Sequence, residues 1–236
     1  MKKATILLLM IALSFSTDLT AKKKQPKTIT VAVIDTGIDL AIKKQAYKKG
    51  ICKFGHKDFT GTGLADIHEH GTNISGLIHM YTQGANYCQV ILKYYLKNSS
   101  GKVNLRRLKQ ALQHAIALKV DVINISLGGP TSDDLERTII KKALDQGIII
   151  VAAAGNENQD IKKFPYYPAS YYPKIIVVGN GKSAVFKRPS SNYGTQVDIW
   201  EMGVKVKGSY GTPMSGTSQA AAIITGRVVQ ILYAME

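Results

Sequence analysis

Gly211-Thr212-Pro213-Met214-Ser215-Gly216-Thr217-Ser218-Gln219-Ala220-Ala221-Ala222 is a glycine- and threonine-rich turn that runs into a serine and then into an apolar helical run ending near Tyr233. A serine so placed stands at a helix mouth, where the first backbone N–H groups lack partners and the dipole favours negative charge. That environment suits a nucleophile whose attack creates an oxyanion. Serine is also a common helix N-cap, and this stretch alone is satisfied by that simpler role. Two upstream stretches alter the balance, because they supply the partners a nucleophile needs.

The first is Thr28 to Ile34, a β-branched apolar run with the pattern of a strand buried on both faces, which ends in Asp35-Thr36-Gly37. Functional groups of parallel α/β sheets gather at that carboxyl edge. The second is His70-Gly71-Thr72, which opens a run (Ile74, Leu77, Ile78, Tyr81) with helical spacing. Between and beyond them the pattern predicts strands near Ile51–Phe54, Gln89–Leu96, Asp121–Ser126, Ile148–Ala153 and Ile175–Val178. Helices are expected at Leu105–Leu118 and Ser132–Gln146, and shorter strand-like pieces at Ala184–Phe186, Val197–Trp200 and Val204–Val206. Asp133, Asp134 and Glu136 fill the first turn of the second helix, as the dipole prefers. The alternation predicts a doubly wound α/β fold, a mainly parallel sheet with helices on both faces.

In chain order the three polar residues read Asp35, His70, Ser218, the order in which subtilisin carries its triad. Val33-Ile34-Asp35-Thr36-Gly37, His70-Gly71-Thr72, Ala154-Gly155-Asn156 and Gly216-Thr217-Ser218 resemble the four signature blocks of the subtilisin-like serine protease family. Asn124 to Gly129 and Tyr167-Pro168-Ala169 resemble further family segments. Each block alone is weak; their order together makes the motif specific. The resemblance implies a secreted endopeptidase that works through an acyl-enzyme. Ser218 would be the nucleophile, His70 its general base and acid, Asp35 the group that orients the imidazole, and Asn156 an oxyanion donor. It also implies that Ser126-Leu127-Gly128 pairs with an extended peptide or protein substrate and that Ala153, Ala154 and Gly155 form the opposite wall of its pocket. Tyr166 stands where relatives commonly have a glycine floor, so it is expected to fill that pocket against large aromatic side chains, with Glu157 at the rim.

The chain also departs from the family pattern. Asn73 replaces the usual second histidine of His-Gly-Thr-His, Gln219-Ala220-Ala221-Ala222 replaces Met-Ala-Ser-Pro, and Glu201-Met202-Gly203 replaces Ala-Pro-Gly. None removes a triad atom. No room is seen for a pro-segment, nor a carboxylate-rich loop for calcium, so no metal and no cofactor are expected. His68, in Asp66-Ile67-His68-Glu69-His70, lacks the paired spacing of a zinc helix and is expected to be an exposed loop residue. Gly181-Lys182-Ser183 lacks the earlier glycine of a phosphate loop, which disfavours a nucleotide-binding protein. The sheet order implied by the resemblance brings Cys52 and Cys88 to the starts of neighbouring strands, where a bridge and two buried thiols are both open to them.

The 236 residues suffice for one well-buried domain. Lys2-Lys3, the apolar run Ile6–Leu13 and Ser14-Phe15-Ser16 form a signal peptide over 1–16, with a later cut at Ala21 as the less tidy option. A polar leader at 17–27 and a catalytic domain at 28–236 follow. The expected location is extracellular or periplasmic, with no transmembrane segment once the signal is cut. The net charge of +15 is spread over paired lysines and arginines on predicted helix faces, without the aromatic-interleaved basic motif of a nucleic-acid module. A separate inhibitor or chaperone chain would suit such a protease. The alternative is a catalytically weak or inactive subtilisin-like protein, retained for binding or associated with the cell envelope.

Overall fold

The computed structural model describes residues 27–39, 41 and 50–236. The signal peptide and all of the polar leader but Lys27 lie outside the described residues. Among these residues seven strands are formed: β1 (Ile29–Asp35), β2 (Lys57–Asp58), β3 (Tyr87–Lys93), β4 (Val122–Ile125), β5 (Ile149–Ala153), β6 (Ile176–Asn180) and β7 (Ile199–Glu201). Among the described residues four complete helices accompany them: α1 (His70–Tyr81), α2 (Gly101–Ala117), α3 (Asp134–Asp145) and α4 (Thr217–Ala234). All strands are parallel, in the order β2-β3-β1-β4-β5-β6-β7.

β1 lies inside the sheet, paired with β3 on one edge and β4 on the other. Its continuous apolar run follows from having a core on each face. Val31 and Val33 join the core covered by α1 and α4, while Ala32 and Ile34 join the one covered by α2 and α3. Ile34 is fully buried, so trimming it to alanine would cost roughly 2–5 kcal/mol. This doubly wound arrangement is the one the strand–helix alternation predicts.

The helix starts are fixed locally. Ser100 caps α2 by accepting from the Val103 N–H, and Asp133 caps α3 by accepting from the Glu136 N–H at 2.8 Å. α4 has no side-chain cap: Gly216 occupies that position and Ser218 is already the second helical residue. Ser218 is therefore not an N-cap.

Three expected strands shrink. The Ile51–Phe54 run makes a single bridge, Ile51 to Gln89, before β2 resumes the edge. Between them the His56 ring takes the ladder position: its Nδ1 accepts from the Ile91 N–H at 3.0 Å and its Nε2 lies 2.8 Å from the Cys52 carbonyl. The Ala184–Phe186 piece is a loop closed by a Gly181–Lys187 bridge. Val185 and Phe186 are 84% and 72% exposed there, so no buried face holds a strand. Val204–Val206 contributes only an antiparallel bridge from Val206 to Met214.

At the edge of the sheet Cys52 and Cys88 form a disulfide across 36 residues. Lys93, at the end of β3, is fully buried. Its ammonium donates to Thr62 Oγ1, the Gly63 carbonyl and the Ala65 carbonyl at 2.9, 2.9 and 2.6 Å. A buried charge persists only when its protons find acceptors, and here they shape the loop after β2.

Candidate active site

The carboxyl edge of the sheet gathers the residues singled out above. Asp35 ends β1, His70 begins α1, Ser126 follows β4, Asn156 follows β5 and Ser218 lies in the first turn of α4. Asp35 Oδ1 accepts from the Thr36 N–H at 2.7 Å and lies 2.7 Å from His70 Nδ1. Its other oxygen, Oδ2, is buried without a partner among the described residues. Burial pulls the His70 imidazole down, but the Asp35 carboxylate, by charge and hydrogen bond, and Asp66 behind it more than offset this. The net value lies above the ordinary histidine value.

Sequence reasoning missed the residue that holds this pair together. Asp66 Oδ1 accepts from Thr36 Oγ1 at 2.9 Å, and Oδ2 accepts from the Thr72 N–H and hydroxyl at 2.8 and 2.7 Å. One carboxylate thus ties the end of β1 to the first turn of α1, the two elements that carry Asp35 and His70. The approach is close: a Cβ on Gly71 would lie 2.4 Å from the Gly37 carbonyl oxygen, so only glycine fits. Glu69, directly before His70, has φ 60, a left-handed conformation that costs a non-glycine residue some strain. His68 is not exposed as expected; it is half-buried, its ring edge-on to Tyr95 with centroids 6.4 Å apart.

The Ser218 hydroxyl donates to the Ser126 carbonyl at 2.7 Å. Its one proton is therefore committed there rather than to His70. Ser126 is braced from below, its Oγ accepting from Asn124 Nδ2 at 2.9 Å, with Asn124 Oδ1 in turn 2.8 Å from Thr225 Oγ1 of α4. Asn156 Oδ1 accepts from the Thr217 N–H and hydroxyl at 3.0 and 3.2 Å. Its oxygen is so engaged, while the exposed Asn156 side chain makes no hydrogen bond through its amide N–H groups among the described residues.

Tyr166 lies between the two expected pocket walls. A Cβ on Gly128 would come 2.7 Å from its Cε1, and one on Gly155 would come 3.0 Å from its Cδ2. Glu157 stands beside Gly155, its Oε2 accepting from Asn192 Nδ2 at 2.7 Å. Leu127 and Gly128 remain partly or fully exposed, while Ala153 and Ala154 are buried at the end of β5.

Two of the departures from the family pattern prove to be partners. Gln219 Nε2 donates to Asn73 Oδ1 at 3.1 Å, and both side chains are buried. Asn73 Nδ2 donates onward to the carbonyls of Thr212 and Val206, at 2.6 and 3.2 Å, which fastens the loop leading into Ser218.

The chain is similar to known proteins in sequence and in fold. The chain is 31% identical over 215 residues to a subtilisin of Bacillus pumilus, covering 86% of this chain and 76% of that one. It is 32% identical to subtilisin E of Bacillus subtilis (strain 168), again over 86% of this chain but only 55% of the relative, so it spans about half that protein's length. The solved structure of a cold adapted subtilisin-like serine proteinase matches with a TM-score of 0.69 at 25% identity, covering 84% of this chain and 72% of that one. A lanthipeptide protease shares the fold with a TM-score of 0.70 at 19% identity, over 84% of this chain and 72% of that one. Residues 26–236 match the sequence profile of the Subtilase family, and the chain belongs to that family of subtilisin-like serine endopeptidases.

Proposed function

We propose that this protease cleaves peptide bonds through Asp35, His70 and Ser218 by way of an acyl-enzyme. The observation that carries the reading is the 2.7 Å contact of Asp35 with His70 at the same sheet edge as Ser218 and Asn156. An extended substrate pairs with Ser126-Leu127-Gly128, and its backbone N–H competes with Ser218 for the Ser126 carbonyl. The displaced hydroxyl then turns to His70 Nε2. His70 takes its proton as Ser218 Oγ attacks the carbonyl carbon, and Asp35 stabilises the imidazolium. The oxyanion receives N–H groups from Asn156 and from the Ser218 backbone, and losing such an asparagine costs roughly 10²–10³ in turnover in subtilisin. His70 next protonates the leaving amine, and water, deprotonated by the same ring, releases the acyl group.

Tyr166 and Glu157 set the residue before the scissile bond in this proposal: small or slender side chains, with basic ones tolerated. Export is proposed from the amino-terminal pattern Lys2 to Ser16, and the Cys52–Cys88 disulfide suits an oxidising compartment. No helix among the described residues is long and apolar enough to cross a membrane. A separate inhibitor or chaperone chain would occupy the same cleft as substrate.

The hydroxyl of Ser218 resting on Ser126 also supports the second reading, a protein of weak or no activity. Titration with a serine-directed fluorophosphonate separates them. Stoichiometric labelling of the wild type, lost in Ser218→Ala and severely slowed in His70→Ala, is expected of the protease. A wild type that does not label would leave only the inactive reading.

A further inference from the structure

Beside the cleft lies a cavity of about 620 Å³, within the size range of ligand-binding pockets. Its walls are mainly apolar and aromatic, among them Tyr94, Leu105, Leu108, Leu127 and Tyr166, with Lys102, Asn104 and Thr131 as polar members and Glu136 as the one carboxylate. Glu136 is 2% exposed, although it belongs to the first turn of α3. The Tyr171 hydroxyl donates to its Oε2 at 2.7 Å, and Oε1 accepts no hydrogen bond among the described residues. Lys109, whose charge acts on Glu136, is itself paired with Asp133 at 2.8 Å, and Lys102 stands exposed on the rim. Glu136 Oε1 is not one of the atoms sealed in without a partner, so this oxygen is open to a visiting donor.

The cavity runs along the segment after β4 that the proposed substrate pairs with, from Leu127 through Gly128 and Gly129 to Thr131. A peptide antiparallel to that segment has its cleaved residue near Ser126. At about 3.3 Å per residue its fourth residue before the cleaved bond lies beside Gly129 and Pro130. We infer that this cavity receives a lysine or arginine side chain at that fourth position and that Glu136 is the residue that selects it. The aliphatic stem of such a side chain covers the leucine and tyrosine walls, and its charged head meets the carboxylate and the tyrosine faces. A neutral side chain of equal length matches the walls but leaves Glu136 without a counter-charge.

The inference rests on the proposed peptidase reading, and the test keeps the two apart. Fluorogenic peptides identical except for Lys, Arg, norleucine, Leu or Phe at the fourth position are compared by kcat/KM. The assay runs at pH 8, above the value of about 7 to which burial raises Glu136, so that the carboxylate is ionised. The wild type is expected to favour Lys or Arg over norleucine at least tenfold. Glu136→Gln and Glu136→Leu should bring that ratio to about one or invert it, with fluorophosphonate labelling of Ser218 as the check that each variant is folded. A wild type that labels but prefers norleucine or Leu overturns the inference and leaves the peptidase reading intact. A basic preference that survives in Glu136→Gln overturns it too, since another group would then be its source. A wild type that does not label removes the peptidase reading itself.

Discussion

Asn73→Ala should destabilise this protein far more than a change in the first turn after His70 would suggest from sequence. The substitution deletes the acceptor of Gln219 Nε2 and the donor that reaches the Thr212 and Val206 carbonyls. Gln219 is 2% exposed, so its orphaned amide bears the desolvation penalty of roughly 1–3 kcal/mol. The freed carbonyls lie nearer solvent and add less, giving about 2–3 kcal/mol in total, or roughly 5–10 °C in the unfolding midpoint of a domain this size. Gln219→Ala orphans Asn73 Oδ1 and should cost about 1–2 kcal/mol. In the double variant the mutual penalty is lost only once, so the two costs should fall short of additive by about 1 kcal/mol. Urea denaturation of the oxidised protein measures all four corners, with fluorophosphonate labelling as the check on the site. Additivity within about 0.3 kcal/mol would refute the pairing. So would a Gln219→Met variant as stable as wild type, since a thioether cannot satisfy the Asn73 oxygen as an amide does.

Asp35→Asn should cut turnover by roughly 10⁴-fold, the loss seen for the equivalent change in a trypsin triad. In wild type the rising limb of kcat/KM against pH should lie above the ordinary histidine value, because Asp35 and Asp66 outweigh burial at His70; a limb below it would contradict the charge coupling. Cys52→Ser/Cys88→Ser should lower stability by roughly 3–4 kcal/mol on the chain-entropy account of a 36-residue separation, and an unchanged urea midpoint would show that account wrong here. Tyr166→Gly should raise kcat/KM for peptides with Phe before the cleaved bond by about tenfold while leaving Ala peptides little changed; a wild type that already prefers Phe sinks the idea. Glu136 has a folded value of about 7 against 4.5 unfolded, chiefly through burial, which the Tyr171 hydrogen bond only partly reverses, with Asp133 raising it and Lys109 lowering it. A raised value means stability that is complete below pH 4.5 and lost as pH climbs through 7, roughly 3 kcal/mol in all. The Glu136→Gln protein should show that slope flattened, and an equal slope in both proteins would place its origin elsewhere.

What could be read from the sequence was what the sheet dictates. β1 is legible because a strand buried on both faces must be a continuous apolar run, and its last residue then falls at the functional edge. α4 is legible because Gly216 leaves a glycine turn before an unbroken apolar helix. Distant partners outside the signature blocks were not legible. Asp66 looks like one more acidic loop residue until the fold brings Thr36, 30 positions earlier, against it. His56 likewise breaks an edge strand by offering ring nitrogens to the ladder, which no periodicity records. Asn73 and Gln219 read as two separate departures, 146 positions apart, and become one feature only where α1 crosses the start of α4.

The start of α3 shows why the cavity, of all features, stayed hidden. Polarity alone would turn Leu135 inward and Glu136 outward. The structure has them reversed, with Leu135 54% and Glu136 2% exposed. The phase of a helix is set where it begins, and Asp133 begins this one by accepting from the Glu136 N–H. That places Glu136 three residues past the cap, facing the sheet, where Tyr171 already offers a hydroxyl. A first-turn acid is ordinarily read as a dipole partner, and nothing in Asp133-Asp134-Leu135-Glu136 says which of its acids turns inward. The cap decides it, and through the cap the charge that an incoming side chain would meet.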